Sequence, residues 1–574
     1  MESKPKINWD SFNDLIKAIG EGHKSISSND IMSFLSVGSN QEKAIANKSL
    51  ADVFFKLNKP EEAKTFIQRA WLISYFSVDT LPLFIKIHEA LNDYDAIREC
   101  YKRIGLKEAN EGNIRSAISY FNLWQYTYAV YEKTDKHAFD FDILDAVYRL
   151  SLPYQKNITV SSGKKKKKVA HVIFSLAPAL HKIDYAIAEF FDREKFDLAI
   201  VIPDKILPND IHKNLLDKFE TFNRKVIYAD CADPLEQALT IAGKINKFGP
   251  DIIFVSASMA DFWIYFITVL NNGAIKVALI GGSPALYISP IFDLGLTESH
   301  HLRIDSIINS EKINLALPMP RLDDIGIPDR NTLNIPAKAV ILATGGRHSK
   351  FQDKDYWKAI GEIMLEEPDS NLLVAGVLKK DIPFFEDIIF QPVAERIIFL
   401  GWRKDYLNFF SLSDIIIDTF PQSGGIMILE SMALGKPIVT FENNYFKLYD
   451  QVDMSMAHEF CGIPELIVPR NNFVVFKKVV LNLIKDEEHR NKVALMCKEK
   501  VHRSRGNPQR MVKQIEDIYV DLIEQKFKSQ HSGTDRRKQK DPVDLFNTLT
   551  FKRLIFYFLR SLRIRFLKKL RDNF

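Results

Sequence analysis

The sequence predicts an α/β protein with two Rossmann-like domains in tandem, preceded by an all-helical repeat domain. Three observations predict it. Residues 1–155 carry helical patterning, and two stretches within them align 33 residues apart, close to the roughly 34-residue period of helix–turn–helix repeats. Residues 164–325 and 335–527 each alternate short apolar runs with amphipathic helices, the pattern of a doubly wound parallel sheet. A chain of 574 residues is too long for one hydrophobic core and divides into several domains.

Composition narrows the class. The chain is 46% apolar and 26% charged, with a formal net charge of only +5. That is the profile of a soluble globular protein, with no nucleic acid or other bulk polyanion expected as partner. Cys100, Cys231, Cys461 and Cys497 lie far apart without CxxC spacing. They point to a reducing compartment and no zinc module. The N-terminal "MESKPKINWDSFNDL" lacks the basic-then-apolar pattern of a signal peptide. No uncharged run reaches the roughly 18 residues a membrane-spanning helix needs. The expected location is cytoplasmic.

In the helical part, "LADVFFKLNKPEEA" from Leu50 aligns with "LFIKIHEALNDYDA" from Leu83, with Ala63 and Ala96 at matching places. Small residues there let paired helices approach closely. A third stretch, "EGNIRSAISYFNLW", is out of period. The pattern resembles a tetratricopeptide array; an irregular helical bundle is the alternative. The lysine run Lys164 to Lys168 reads as a solvated linker. It leads into the strand "VAHVIFSL", a helix over residues 185–191, and the strands "FDLAIVIPD", "KVIYAD" and "DIIFVSAS". The Pro-containing bridge "PDRNTLNIPAK" opens the second alternation: "AVILATGG", "NLLVAGV", "RIIFLGW", "DIIIDTF", "PIVTF" and "ELIVP". A helix, "PQRMVKQIEDIYVDLIEQ", follows.

Ligands of open parallel sheets bind beyond the carboxyl ends of the strands. Two loops of the second domain lie there. "ATGGRHSK" places Gly346, Arg347 and Lys350 at the mouth, and "PQSGG" carries Gln422, Ser423, Gly424 and Gly425 into a helix. A helix N-terminus offers unpaired N–H groups and a positive dipole end, and glycine lets a phosphate approach. Two cations and such a terminus neutralise a diphosphate without a metal. Glu430 follows Gly425 by five residues. Its carboxylate suits a pair of vicinal hydroxyls, or it is an exposed helical glutamate.

These segments together, "GGRHSKF", "RIIFLGWRKD", "DIIIDTFPQSGGIMILESMALGKPIVTF" and "MVKQIEDIY", resemble the donor-binding half of GT-B glycosyltransferases. The resemblance implies that Arg347, Lys350 and the glycine-led helix hold a nucleotide diphosphate. It implies that Glu430 binds the ribose, and that Trp402 and Arg403 lie beside the base. The nucleotide-sugar is then a co-substrate, with no further cofactor. Many retaining members carry a glutamate where this chain has Gln422, so the resemblance implies inversion. The helical front and "IGGSPALYISPIFDLGLT", with Pro284, Ser289 and Asp293, resemble O-linked N-acetylglucosamine transferases and related bacterial adhesin-glycosylating enzymes. Phe292 departs from that pattern.

An inverting transfer that uses a base draws it from the first domain. His181, in "SLAPALHKID" after that domain's first strand, is the candidate, with a neutral-range titration suited to proton transfer. It is otherwise a surface histidine. His300 and His301 are second candidates, and His348 sits where it can touch the diphosphate. Residues 551–574 carry eight Lys/Arg and one Asp, around an imperfect apolar face. They read as a peripheral contact with an anionic membrane or as a helix docked on the protein itself. The acceptor is a protein, bound on helical repeats, or a membrane-linked glycan. A non-catalytic repeat scaffold and a sugar-nucleotide epimerase are the remaining readings.

Overall fold

The computed structural model describes residues 7–21, 28–74, 77–130, 140–158, 166–173, 181–203, 210–256, 261–280, 291–297, 310–317, 319–320, 325–382, 384–389, 391–421, 423–442 and 457–531. It divides into two compact units: the helices up to Pro153 together with residues 261–266, and the remainder.

The helical unit is built from packed helix–turn–helix pairs. Asn40–Lys56 turns into Pro60–Ile73 and packs along it; Leu81–Ala90 turns into Tyr94–Asn110, whose long packing partner is instead Ile114–Val130. Both turns pass through an asparagine in the left-handed region, Asn58 at φ 57° and Asn92 at φ 54°. Asparagine tolerates that conformation because its short amide bonds locally. The aligned stretches Leu50–Ala63 and Leu83–Ala96 each run from the first helix of a pair into the second. Ser39 and Glu42 form a capping box on the first pair, and Asp93 caps the helix Tyr94–Asn110. In the same unit the amide of Asn122 clamps residues 261–262. Its Nδ2 donates to Asp261 Oδ1 at 2.8 Å, and its Oδ1 accepts from the Phe262 N–H at 2.7 Å.

The second unit holds two large parallel sheets, in agreement with the predicted fold class, and a two-stranded parallel pair, Lys156–Asn157 with Asn271–Asn272. The first has seven strands: β1 Lys167–Val172, β2 Phe196–Val201, β3 Lys225–Ile227, β4 Ile252–Val255, β5 Ile275–Ile280, β6 Leu294–Thr297 and β7 Ser310–Lys312, in the order β3-β2-β1-β4-β5-β6-β7. The second has six: β8 Val340–Gly345, β9 Ser370–Ala375, β10 Ile397–Gly401, β11 Ile415–Ile417, β12 Ile438–Phe441 and β13 Ile467–Val468, in the order β10-β9-β8-β11-β12-β13. Strands covered on both faces read as unbroken apolar runs. Ile415, Ile416 and Ile417 are all fully buried, each contributing roughly 1.5–3 kcal/mol.

Two local boundaries differ from the sequence reading. Lys167 and Lys168, taken as linker, begin β1 because their backbones pair with Phe196 and Asp197, while Lys168 Nζ donates to the Phe248 carbonyl at 3.0 Å. The next helix starts at His181 and ends at Phe190, four residues earlier than its apolar pattern suggests. The long helix Pro508–His531 returns to the first sheet's domain, burying Tyr519 against Phe254 and Phe191 with ring centroids 5.9 and 6.1 Å away. Among the described residues no helix is long and apolar enough to cross a membrane. The basic tail, 542–574, lies outside the described residues.

Candidate functional site

Strands β8 and β11 are hydrogen-bonded neighbours, with Leu342 opposite Ile415 and Ala343 opposite Ile416. The loops that follow them therefore leave the same edge side by side. Lys350 Nζ, from the first loop, donates to the Ser423 carbonyl of the second at 2.5 Å. Gly346 fits between them: a Cβ there would lie 3.1 Å from Thr419 Cγ2 and 3.2 Å from Lys350 Cδ. Arg347 and His348 are exposed beside this junction.

The glycine loop is organised by Asp418, which the sequence analysis did not single out. Its side chain is fully buried at the end of β11. Oδ1 accepts from the N–H groups of Thr419 and Gly424 at 2.8 and 2.6 Å. Oδ2 accepts from the hydroxyls of Ser423 and Thr440 at 2.7 and 2.6 Å. Burial raises the carboxyl pKa above its ordinary value, while these hydrogen bonds and the charge of Lys350 pull the other way. The available signal was a carboxylate closing an otherwise apolar strand, "DIIID", which requires buried partners.

Both glycines have structural reasons. A Cβ on Gly424 would lie 3.0 Å from Asp418 Oδ1 and 2.6 Å from Met427 Cε. Gly425 sits at φ 62°, ψ −109°, a combination that side chains disfavour. The Gly424 N–H is engaged by Asp418, and the Gly425 N–H donates to Ser423 Oγ at 3.2 Å. Gly425 then caps the helix Ile426–Ala433, whose positive dipole end faces the loop edge. Gln422 lies outside the described residues.

Glu430 is on that helix and is not an exposed glutamate. Its side chain is 3% exposed. One oxygen accepts from Lys182 Nζ in an ion pair, and the other accepts from the Tyr406 hydroxyl. Burial, then the neighbouring Glu430 charge, pushes the Tyr406 hydroxyl pKa up. Tyr406 opens the helix Tyr406–Leu412 after the loop of Trp402 and Arg403. Trp402 is 75% exposed, so its ring is open to solvent. Arg403 forms a two-pronged ion pair with Asp405 at 2.7 and 2.8 Å and lies over the Phe409 ring.

On the first domain, His181 is buried as the first residue of its helix, with its ring centroid 5.9 Å from that of Tyr185. Asp184, one turn on, accepts from Ser256 Oγ at 2.6 Å, and His171 Nε2 lies 2.7 Å from the same hydroxyl. The Ser256 hydroxyl thus lies between the carboxylate and the imidazole. All three residues follow or end strands at the carboxyl edge of the first sheet, or face it. Asp293 is a backbone clamp instead: Oδ2 accepts from the Lys276 N–H at 2.7 Å at the start of β6. Pro284, Ser289, His300 and His301 lie outside the described residues.

No protein-family model and no curated protein sequence matches the chain. Among solved structures it is similar to an O-GlcNAc transferase mutant from Thermobaculum terrenum, at TM-score 0.52 and 14% identity, covering 89% of this chain and 98% of that one. It is also similar to a glycosyltransferase from Rickettsia africae ESF-5, at TM-score 0.46 and 14% identity, covering 63% of this chain and 99% of that one. A putative UDP-N-acetylglucosamine 2-epimerase from Listeria monocytogenes follows, at TM-score 0.44 and 16% identity, covering 63% and 97%. At 14% identity the first of these speaks for architecture alone, and with the two parallel sheets it identifies the chain as one with the GT-B fold.

Proposed function

We propose that this chain is a glycosyltransferase that moves a sugar from a UDP-linked donor to a protein acceptor, with inversion and without a metal. One observation carries the reading. Lys350 of one loop meets the Ser423–Gly425 loop of another at one sheet edge, and the helix that this loop opens carries the buried Glu430. That grouping suits a nucleotide diphosphate. Arg347, Lys350 and the helix dipole stabilise the charge that develops on the leaving diphosphate. Glu430 accepts from two ribose hydroxyls, and the exposed Trp402 ring offers a stacking face for the base.

In an inverting step the acceptor oxygen bonds to the anomeric carbon as that carbon's bond to the diphosphate oxygen breaks. The acceptor's proton passes to a base, the role assigned to His181 on the opposite domain. The O-GlcNAc transferase likeness and the helix–turn–helix pairs favour a protein acceptor and an N-acetylhexosamine donor. A thermal-shift panel of UDP-, GDP- and ADP-sugars tests the reading. A donor at 100 times its Kd adds about 2.7 kcal/mol to the folded state, so the UDP-sugars raise Tm. No shift with any donor refutes it and leaves a non-catalytic scaffold.

A further inference from the structure

Both oxygens of Glu430 are already in use. Lys182 Nζ holds one and the Tyr406 hydroxyl holds the other. The three groups come from three elements: the helix His181–Phe190 of the first Rossmann-like domain, the helix Tyr406–Leu412 and the helix Ile426–Ala433. A vicinal diol would bring two O–H donors to the same two oxygens.

We propose that Lys182 competes with the donor's ribose for Glu430, so that the empty protein keeps its sugar-recognising carboxylate capped from the opposite domain. The inference rests on the donor-site reading above and adds a residue that sets its affinity. Side-chain freedom decides which cap gives way. Tyr406 is half-buried with its ring edge-on to Phe410, centroids 5.4 Å apart. Lys182 is 33% exposed and ends a flexible four-carbon stem.

The helix beneath it is anchored. Two residues on, Asp184 is buried and tied to Ser256 and His171 of the sheet edge, at 2.6 and 3.1 Å. The exchange is therefore a side-chain movement from a fixed turn. A site available for only a fraction of the time binds with its affinity reduced by that fraction. Removing the cap restores it.

The test is calorimetric titration of UDP, GDP and ADP into the full chain and its variants. For a nucleotide that binds the wild type, Lys182→Ala should bind about three- to tenfold tighter, and Lys182→Arg should stay close to wild type. In a Glu430→Gln background the gain from Lys182→Ala should vanish. Lys182→Gln, neutral but still a donor, gives a smaller gain of the same sign and serves if the alanine variant does not fold. Unchanged or weaker binding in both Lys182→Ala and Lys182→Gln overturns the competition and leaves the donor site standing. No binding of any of the three nucleotides to wild type or variants overturns the donor-site reading, and this inference with it.

Discussion

Replacing Asp418 with alanine removes four acceptor contacts at once. Two of the stranded donors are backbone N–H groups, of Thr419 and Gly424, each costing about 1–3 kcal/mol when left unpaired in the interior. The hydroxyls of Ser423 and Thr440 can rotate to other acceptors. Against this loss stands the cost of burying a carboxylate, the same cost that raises its pKa. The balance is a loss of about 2–4 kcal/mol, which lowers Tm by about 5–15 °C in a domain of about 190 residues. Asp418→Asn keeps the two backbone bonds on Oδ1 and turns the hydroxyls into acceptors of Nδ2, so it loses under about 1 kcal/mol.

The pair of variants also has a pH signature. A carboxyl whose folded-state pKa is raised contributes stability below its ordinary value of 3.8 and loses it as pH rises through the raised value. Asparagine has no such dependence. The Asn variant should therefore gain on the wild type as pH rises above about 4, until Asp418 is fully ionised. Differential scanning fluorimetry of wild type, Ala and Asn variants across that range measures both effects. An alanine variant within about 1 °C of wild type would refute the loop's dependence on Asp418. A gap between Asn and wild type that moves the other way would refute the sign.

Three further outcomes are expected. Glu430→Ala removes a charged acceptor for two ribose hydroxyls and should weaken nucleotide binding about 30- to 100-fold by calorimetry; undiminished binding removes the ribose role. His181→Ala should leave nucleotide affinity intact and lower kcat by about 10²–10⁴-fold, measured by sugar transfer to an acceptor; an unchanged kcat takes His181 out of the mechanism. Gly425→Ala forces a side chain into φ 62°, ψ −109° and should cost about 1–3 kcal/mol, read as a lower Tm; an unaltered Tm means the loop relaxes without penalty.

Much of the second Rossmann-like domain was legible because its strands are buried on both faces. "VILATG", "NLLVA" and "III" admit little but apolar residues, and they stand as β8, β9 and β11. The glycine pair was legible for a related reason: one needs a positive φ and the other has no room for a Cβ. The helix at His181 was harder. Its first turn, "HKID", is polar, and what holds it is the bond from Ser256 to Asp184, 72 residues away in sequence. Tyr406 looked like any residue opening a helix, since its partner Glu430 lies 24 residues on.

By itself the sequence determined the local elements, the sheet-edge loops and the charge and glycine content that those loops carry. Those follow from periodicity, steric limits on φ and the chemistry of single side chains, all short-range. Only the tertiary structure decided that Asp418 braces the glycine loop, that the closing helix packs on the first domain, and that Lys182 reaches Glu430 across 248 residues. Each is a partner choice made by burial. A polar group taken out of water must find its complement wherever the folded chain brings one, and the order of residues does not record where that is.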